Sequence, residues 1–400
     1  MLEDLVEMHL EVMKKTPQKI RRYCYPTMNW KSKGICILGD RGTGKTTMMC
    51  QYFLETYKTP HKGLYISADH IHVISYGLFN IARDYFAEGG EALFIDEVHK
   101  YPEWSTEIKN ILDVYKDKQI IFSASSSVDL TQSKGDLSRR VVYYRLVGLS
   151  FREYLHLSKG LEYPKFTLSE IITGHTELAQ QFSSLPILKY FKEYLEHGYY
   201  PFFLEGIEDY LSKLSNVIEK VLFEDIAVVY HLKQTSLPVL KKLLWLIATS
   251  KGLSPNIDNI SKNLRISREM VYNSLEYLSH SGLIHHLYPL AKGMKLVRKP
   301  GKIYLNNTNL DYVIHGSLKL IADAGGVRET FFVNQVGACH KVDLHDKGDF
   351  LIDEKIAIEV GGKGKTTKQI KGIEQAYLAI DQTEIGFGKK IPLYLFGFLY

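Results

Sequence analysis

Cysteine is scarce in this 400-residue chain: only Cys24, Cys36, Cys50 and Cys339 occur. None pair as C-x-x-C and none stand at zinc-ligand spacing with a histidine, which excludes the common zinc and redox motifs. Four reduced, mostly buried thiols is the reading that remains. Long apolar runs are also missing. No stretch approaches the ~20 residues that a membrane-spanning helix needs. The opening MLEDLVEMHLEVMKKT carries acids inside its apolar pattern, which suits an amphipathic helix and not a secretory signal. These absences point to a cytoplasmic protein without a membrane partner.

What is present is ordinary globular composition, 45% hydrophobic and 24% charged, with a length that suits two to four domains. The charge is unevenly spread. From Lys233 to Lys302 there are twelve Lys and Arg against three Asp and Glu, a surplus of nine. The whole chain carries +5, so the remainder carries −4. This is a basic block inside a mildly acidic protein.

Two nearly identical hexapeptides stand far apart: GTGKTT at Gly42–Thr47 and GKGKTT at Gly362–Thr367. A P-loop needs G-x-x-x-x-G-K-[ST], because several backbone N–H groups must wrap a phosphate before a helix begins. Gly39, Asp40, Arg41, Gly42, Thr43, Gly44, Lys45 and Thr46 fit every position, with Thr47 following. GICIL ahead of them reads as a buried strand, and TTMMCQYFLETY behind them as a helix. The second copy would need its first glycine at position 359, which is Glu359. It is a decoy.

The rest of a phosphate-transfer site follows in GEALFIDEVHK. Ala92–Ile95 reads as a strand ending in Asp96 and Glu97. An Asp at that tip can order a Mg²⁺ shell with Thr46, and Glu97 can polarise the attacking water. The next strand, QIIFSASSSVDL, ends in serines where a γ-phosphate sensor would sit. Ser123 and Ser125 are both candidates. GDLSRRVVYYRL adds Arg139 and Arg140, either of which can be an arginine finger within the chain or toward a neighbour.

The series ILGDRGTGKTT, LFIDEVHK, IIFSASS and LSRRVVYYRLVGLSFREYL resembles a large group of bacterial and archaeal AAA-type ATP-binding proteins. The resemblance implies an α/β P-loop core with a parallel sheet, a helical lid, a winged helix, and a C-terminal domain of unknown function with restriction-endonuclease-like topology. The expected domains are 1–155, 156–232, 233–310 and 311–400. ATP and Mg²⁺ are the implied cofactors, and self-association through the ATPase domain is a further expectation.

The residues of the basic block give their own reading. LPVLKKLLWLIATS is an amphipathic helix and Ile257–Leu264 a short second one. Ser267 caps a third, which Gly282 stops. LIHHLYPL and KIYLN read as two strands around KGMKLVRKPG. Three helices and a hairpin make a winged helix. Arg268, Tyr272 and Asn273 would face a groove, and Lys292, Lys295, Arg298 and Lys299 would meet phosphates from the wing. Double-stranded DNA is the expected partner.

The context of the decoy is GDFLIDEKIAIEVGGKGKTTKQIKG. It reads as two strands, Phe350–Ile352 and Lys355–Val360, then a Gly-Gly turn and a basic helix start. Asp349 and Glu359 on adjacent strands resemble the acids of PD-(D/E)XK nucleases, where they hold a divalent metal. Glu329 matches an extra acid on the first helix of such folds. The lysine expected two positions after Glu359 is replaced by Gly361, and Lys363 and Lys365 come later. A retired nuclease fold that contacts DNA or protein is the favoured reading. The chain thus reads as an ATPase or nucleotide switch acting with DNA. The alternatives are a nucleotide-binding signalling scaffold with little hydrolysis and an ATP-regulated metal-dependent nuclease.

Overall fold

The computed structural model describes residues 1–125, 137–250, 252–289 and 301–400, with only the backbone of Thr235. The chain divides into two compact units, Met1–Val147 with Phe223–Leu232, and Gly148–Leu222 with Lys233–Tyr400. Among the described residues no helix is long and apolar enough to cross a membrane.

The first unit is a parallel sheet between helices. Its strands are β1 (Gly34–Gly39), β2 (Gly63–Ser67), β3 (Ala92–Asp96), β4 (Gln119–Ser125) and β5 (Val142–Arg145), in the order β2-β3-β4-β1-β5. Its helices include α1 (Leu2–Lys15), α2 (Lys45–Thr56), α3 (Ile71–Tyr76), α4 (Leu78–Ala87) and α5 (Trp104–Val114). Successive side chains of a strand point to opposite faces, and a sheet covered on both faces needs apolar residues at both parities. GICIL meets that need. Ile35 and Ile37 join one core cluster with Met48, Met49 and Phe53 of α2, whereas Cys36 joins the other with Leu93, Ile108 and Ile111.

Strand order places the chemistry. β4 lies between β1 and β3, in register Gly39↔Ser125 and Ile95↔Phe122. The carboxyl ends of three strands therefore bring Gly39, Asp96, Ser123 and Ser125 to one edge of the sheet. That edge is where open parallel sheets bind ligands.

The second unit begins with four helices, α6 (Phe151–Lys159), α7 (Leu168–Gln180), α8 (Ile187–His197) and α9 (Tyr210–Lys220). Local sequence sets the bounds of α6. Ser150 and Glu153 form a reciprocal capping box, and Gly160 ends the helix at φ +66°. Then come α10 (Leu237–Ala248), α11 (Ile257–Leu264) and α12 (Arg268–His280). The Ser267 hydroxyl caps α12 by accepting from Met270 N at 3.0 Å. β6 (Ile284–Leu287) and β7 (Lys302–Leu305) pair antiparallel. Lys292, Lys295, Arg298 and Lys299 lie outside the described residues.

After α13 (Thr308–Ser317) and α14 (Ala324–Gly337) comes a mixed sheet, β8 (Val342–Leu344), β9 (Phe350–Ile352), β10 (Ile356–Gly361), β11 (Ala376–Ile380) and β12 (Lys390–Pro392). Its order is β12-β11-β10-β9-β8, antiparallel through β10 and parallel beyond. Asp353 and Glu354 turn β9 into β10 with φ +49° and +60°, the geometry of a tight hairpin turn. The helix expected after the Gly-Gly turn is absent: residues 363–375 form turns. Gly364 and Gly372 interrupt that stretch, and Ile370 and Ile373 dock it on the sheet core as turns.

Candidate nucleotide site

The loop Gly39–Thr46 joins β1 to α2. Gly42 and Gly44 sit at φ +86° and +94°, where a side chain would strain the backbone. Gly39 is needed for a different reason: a Cβ there would meet the Leu146 carbonyl at 2.3 Å. The Thr43 hydroxyl donates to Asp40 O at 2.8 Å, which tightens the bend. α2 begins at Lys45 with no side-chain cap, so its first N–H groups face the loop, where an anion is favoured. The Lys45 ammonium donates to Gly39 O at 2.8 Å and Asp40 O at 3.0 Å. Burial pushes that ammonium below its usual range, against the opposing charge of Asp96.

Asp96 is 4% exposed at the end of β3. Its Oδ2 accepts from the Thr46 hydroxyl at 2.5 Å and from the Tyr65 hydroxyl at 3.0 Å. The Ser123 hydroxyl donates to Oδ1 and accepts from Glu97 N at 3.0 Å. Ser123 thus touches both acids of the strand tip. Ser125 stands elsewhere: its N–H donates to His99 Nδ1 at 3.3 Å. Of the two serines, Ser123 is the one placed against Asp96.

Glu97 occupies the left-handed region, φ +52°. Its carboxylate pairs with Lys100 and lies 3.8 Å from the Arg41 guanidinium. Burial alone would raise this carboxyl, but the Lys100 bond and the Arg41 charge outweigh it and hold it below the ordinary range. Lys100 also bonds Asp69 at 2.8 Å. Arg41 is held in turn by Asp225, through Nε at 3.2 Å and a terminal nitrogen at 3.0 Å. Asp225 belongs to the Phe223–Leu232 segment of this same unit and is 2% exposed.

Arg140 requires a correction as a group acting on this chain's own phosphate loop. It makes a two-pronged pair with Asp113 at 2.5 and 3.0 Å. Its carbonyl abuts Gly34, at the start of β1. β1 spans six residues, so Arg140 stands at the opposite edge of the sheet, about 17 Å from the loop. The parallel register of β5 with β1 forces this.

Three participants were not read from the sequence. Asp225 had no local signal, being 184 positions from Arg41. Tyr65 looked like an ordinary strand residue. His99 was visible, two places after Glu97, but nothing distinguished it from a core histidine.

In the second unit the Lys365 ammonium reaches Glu359 at 2.7 Å. Gly361 makes this approach, since a Cβ there would meet the Lys365 side chain at 2.7 Å. Asp349 accepts from Val360 N at 2.9 Å, and Glu329 accepts from the Tyr304 hydroxyl at 2.6 Å. Burial raises the Glu329 carboxyl, and Asp349 adds to the rise. Among the described residues no group of three or more His, Cys, Asp and Glu could hold a metal ion. Glu329, Asp349 and Glu359 are therefore not gathered as a ligand trio here.

Two family models match separate parts of the chain. Residues 31–155 match the family model described as AAA domain. Residues 188–314 match Domain of unknown function (DUF8612). Uncharacterized protein MJ1637 of Methanocaldococcus jannaschii is 27% identical over 373 residues, covering 86% of this chain and 78% of that protein. Uncharacterized protein MJ1544 of the same organism is 24% identical over 263 residues, covering 62% of this chain and 55% of that protein. AMPPCP-bound DnaA from Aquifex aeolicus aligns with 16% identity and a TM-score of 0.27 over 69% of this chain and 88% of that chain, a superposition too loose to carry an argument. The first unit has the five-strand parallel sheet and phosphate loop of a P-loop AAA-type fold.

Proposed function

We propose that this chain is a Mg²⁺-ATP-dependent ATPase or nucleotide switch that acts with double-stranded DNA. The observation that carries the nucleotide half is the 2.5 Å bond from the Thr46 hydroxyl to Asp96. It joins the first turn of the P-loop helix to the acidic tip of β3. Those two oxygens fit a hard divalent ion, Thr46 directly and Asp96 through the hydration shell. Bound there with ATP, Mg²⁺ would neutralise β- and γ-phosphate charge.

The chain's own groups supply the rest. Gly39, Asp40, Arg41, Gly42, Thr43 and Gly44 shape the loop that wraps the phosphates. Lys45 exchanges its two carbonyl partners for phosphate oxygens. Thr47 continues the first turn of α2 behind them. Glu97 orients the attacking water and takes its proton, which requires its carboxylate to leave Lys100 or Arg41. Arg140 keeps only a role toward a neighbouring copy.

The DNA half rests on α10, α11, α12 and the β6-β7 pair, arranged in the order of a winged helix, and on the surplus of nine positive charges across them. Tyr272 is 46% exposed on α12, and Arg268 is exposed beside it, paired with Asp258. The C-terminal sheet is proposed as a restriction-endonuclease-like fold that contacts DNA without cutting it.

One observation favours a second reading. Lys365 does reach Glu359, which the distance along the chain did not guarantee, and a lysine beside paired acids is what a metal-dependent nuclease uses. Plasmid nicking with Mg²⁺ or Mn²⁺ that disappears in both Asp349→Ala and Glu359→Ala would establish that reading. The main reading is tested by ATP turnover with and without duplex DNA. Stimulation by DNA supports the coupling, and an unchanged rate removes it.

A further inference from the structure

His99 lies in the short turn directly after Glu97. The residue is 9% exposed. Nδ1 accepts the N–H of Ser125, the last residue of β4, at 3.3 Å. That bond fixes the tautomer: Nδ1 is the acceptor, so Nε2 carries the hydrogen. Nε2 is buried and has no hydrogen-bond partner among the described residues. A buried donor left unpaired is unfavourable, and native structures almost always supply it with an acceptor.

The surroundings narrow what that acceptor is. The charged groups that act on His99 are Asp225, Glu97, Lys45 and Lys100. Both Asp225 oxygens are engaged by Arg41, and Glu97 is engaged by Lys100 and Arg41. The lysines are donors and cannot accept. An acceptor oxygen that arrives beside Lys45, as a phosphate oxygen would, completes this set. Burial keeps the ring neutral, with its pKa at about 4. It therefore adds a directed hydrogen bond and not another positive charge.

We propose that His99 reads the terminal phosphate of a bound nucleoside triphosphate: Nε2–H donates to a γ-phosphate oxygen, and Nδ1 carries the ring's position to the end of β4 through Ser125 N–H. This rests on the nucleotide reading above and deepens it. It gives the sensing role to a histidine on the acidic turn, with Ser125 as the residue that receives the signal. A diphosphate lacks the oxygen that Nε2 needs, so His99 distinguishes the two nucleotides.

The test is equilibrium titration of the full chain with ADP and with a non-hydrolysable ATP analogue. His99→Phe keeps a ring and loses the donor. It should bind ADP as the wild type does and lower the preference for the triphosphate about tenfold, the worth of one good hydrogen bond. His99→Gln, whose amide nitrogen stands near the position of Nε2, should keep most of that preference, whereas the shorter His99→Asn should lose it. This pair serves if His99→Phe does not fold. An unchanged triphosphate preference in His99→Phe, or equal preferences in His99→Gln and His99→Asn, overturns the assignment while leaving nucleotide binding intact. If the wild type binds neither nucleotide, the nucleotide reading and this inference fail together.

Discussion

The hydroxyl of Thr46 donates to Oδ2 of Asp96 across fifty positions of sequence. The bond exists because β4 separates β1 from β3 and aligns their carboxyl ends. It defines the floor of the candidate site, and the roles of neighbouring groups follow from their places around it.

Glu97 lies on that floor but is not needed to hold it together. Glu97→Gln should bind ATP as tightly as the wild type and hydrolyse it about 10²-fold more slowly, the typical contribution of a positioned general base. Single-turnover hydrolysis alongside ATP affinity separates the two effects. Wild-type turnover in Glu97→Gln would remove Glu97 from the mechanism.

Arg41 and Asp225 form a largely buried pair, with side chains 17% and 2% exposed. Without Asp225, Arg41 keeps only the looser 3.8 Å approach to Glu97. Asp225→Ala should lower the unfolding free energy by about 3 kcal/mol, read as a drop in the urea midpoint at constant slope. A midpoint within error of the wild type would mean that the pair does not anchor the Phe223–Leu232 segment.

Asp311 gives a pH signature in the second unit. Burial raises its carboxyl from an ordinary 3.8 to about 7. The folded chain then holds a proton that the unfolded chain releases. This contribution is complete below about pH 4 and is lost as pH rises through 7. Asp311→Asn, which cannot ionise, should match the wild type at pH 4 and exceed it at pH 8, by at most about 4 kcal/mol. Urea melts at the two pH values decide. A gap of equal size at both would contradict the assignment.

Duplex binding, if it uses the basic block, should weaken steeply with salt, with a log–log slope of about −0.9 per phosphate neutralised. Replacing Lys295, Arg298 and Lys299 together should flatten that slope. Binding that ignores both salt and the triple replacement would place the contact elsewhere.

The P-loop was legible because three local signals agree there: an apolar strand, a glycine spacing that allows positive φ, and a helix start. The α6 capping box and the Ser267 cap are local as well. The motif around Arg140 leaves open whether it acts within the chain or toward a neighbour; strand pairing, which local spacing does not show, sets its distance from the loop. Asp225 was invisible because nothing near it signals the return of the Phe223–Leu232 segment. The second hexapeptide reads as a helix start, but Gly364 and Gly372 break the stretch, and Ile370 and Ile373 dock it as turns. Gly361, having no side chain, leaves room for Lys365 to lie along it toward Glu359.

The two hexapeptides provide the most direct test of the central claim. ATP affinity, measured by calorimetry with Mg²⁺, should be lost by about 100-fold or more in Lys45→Ala, because that ammonium faces the β- and γ-phosphates. Lys365→Ala should bind ATP as the wild type does. Equal affinity in the wild type and Lys45→Ala, or a loss in Lys365→Ala instead, would contradict the account.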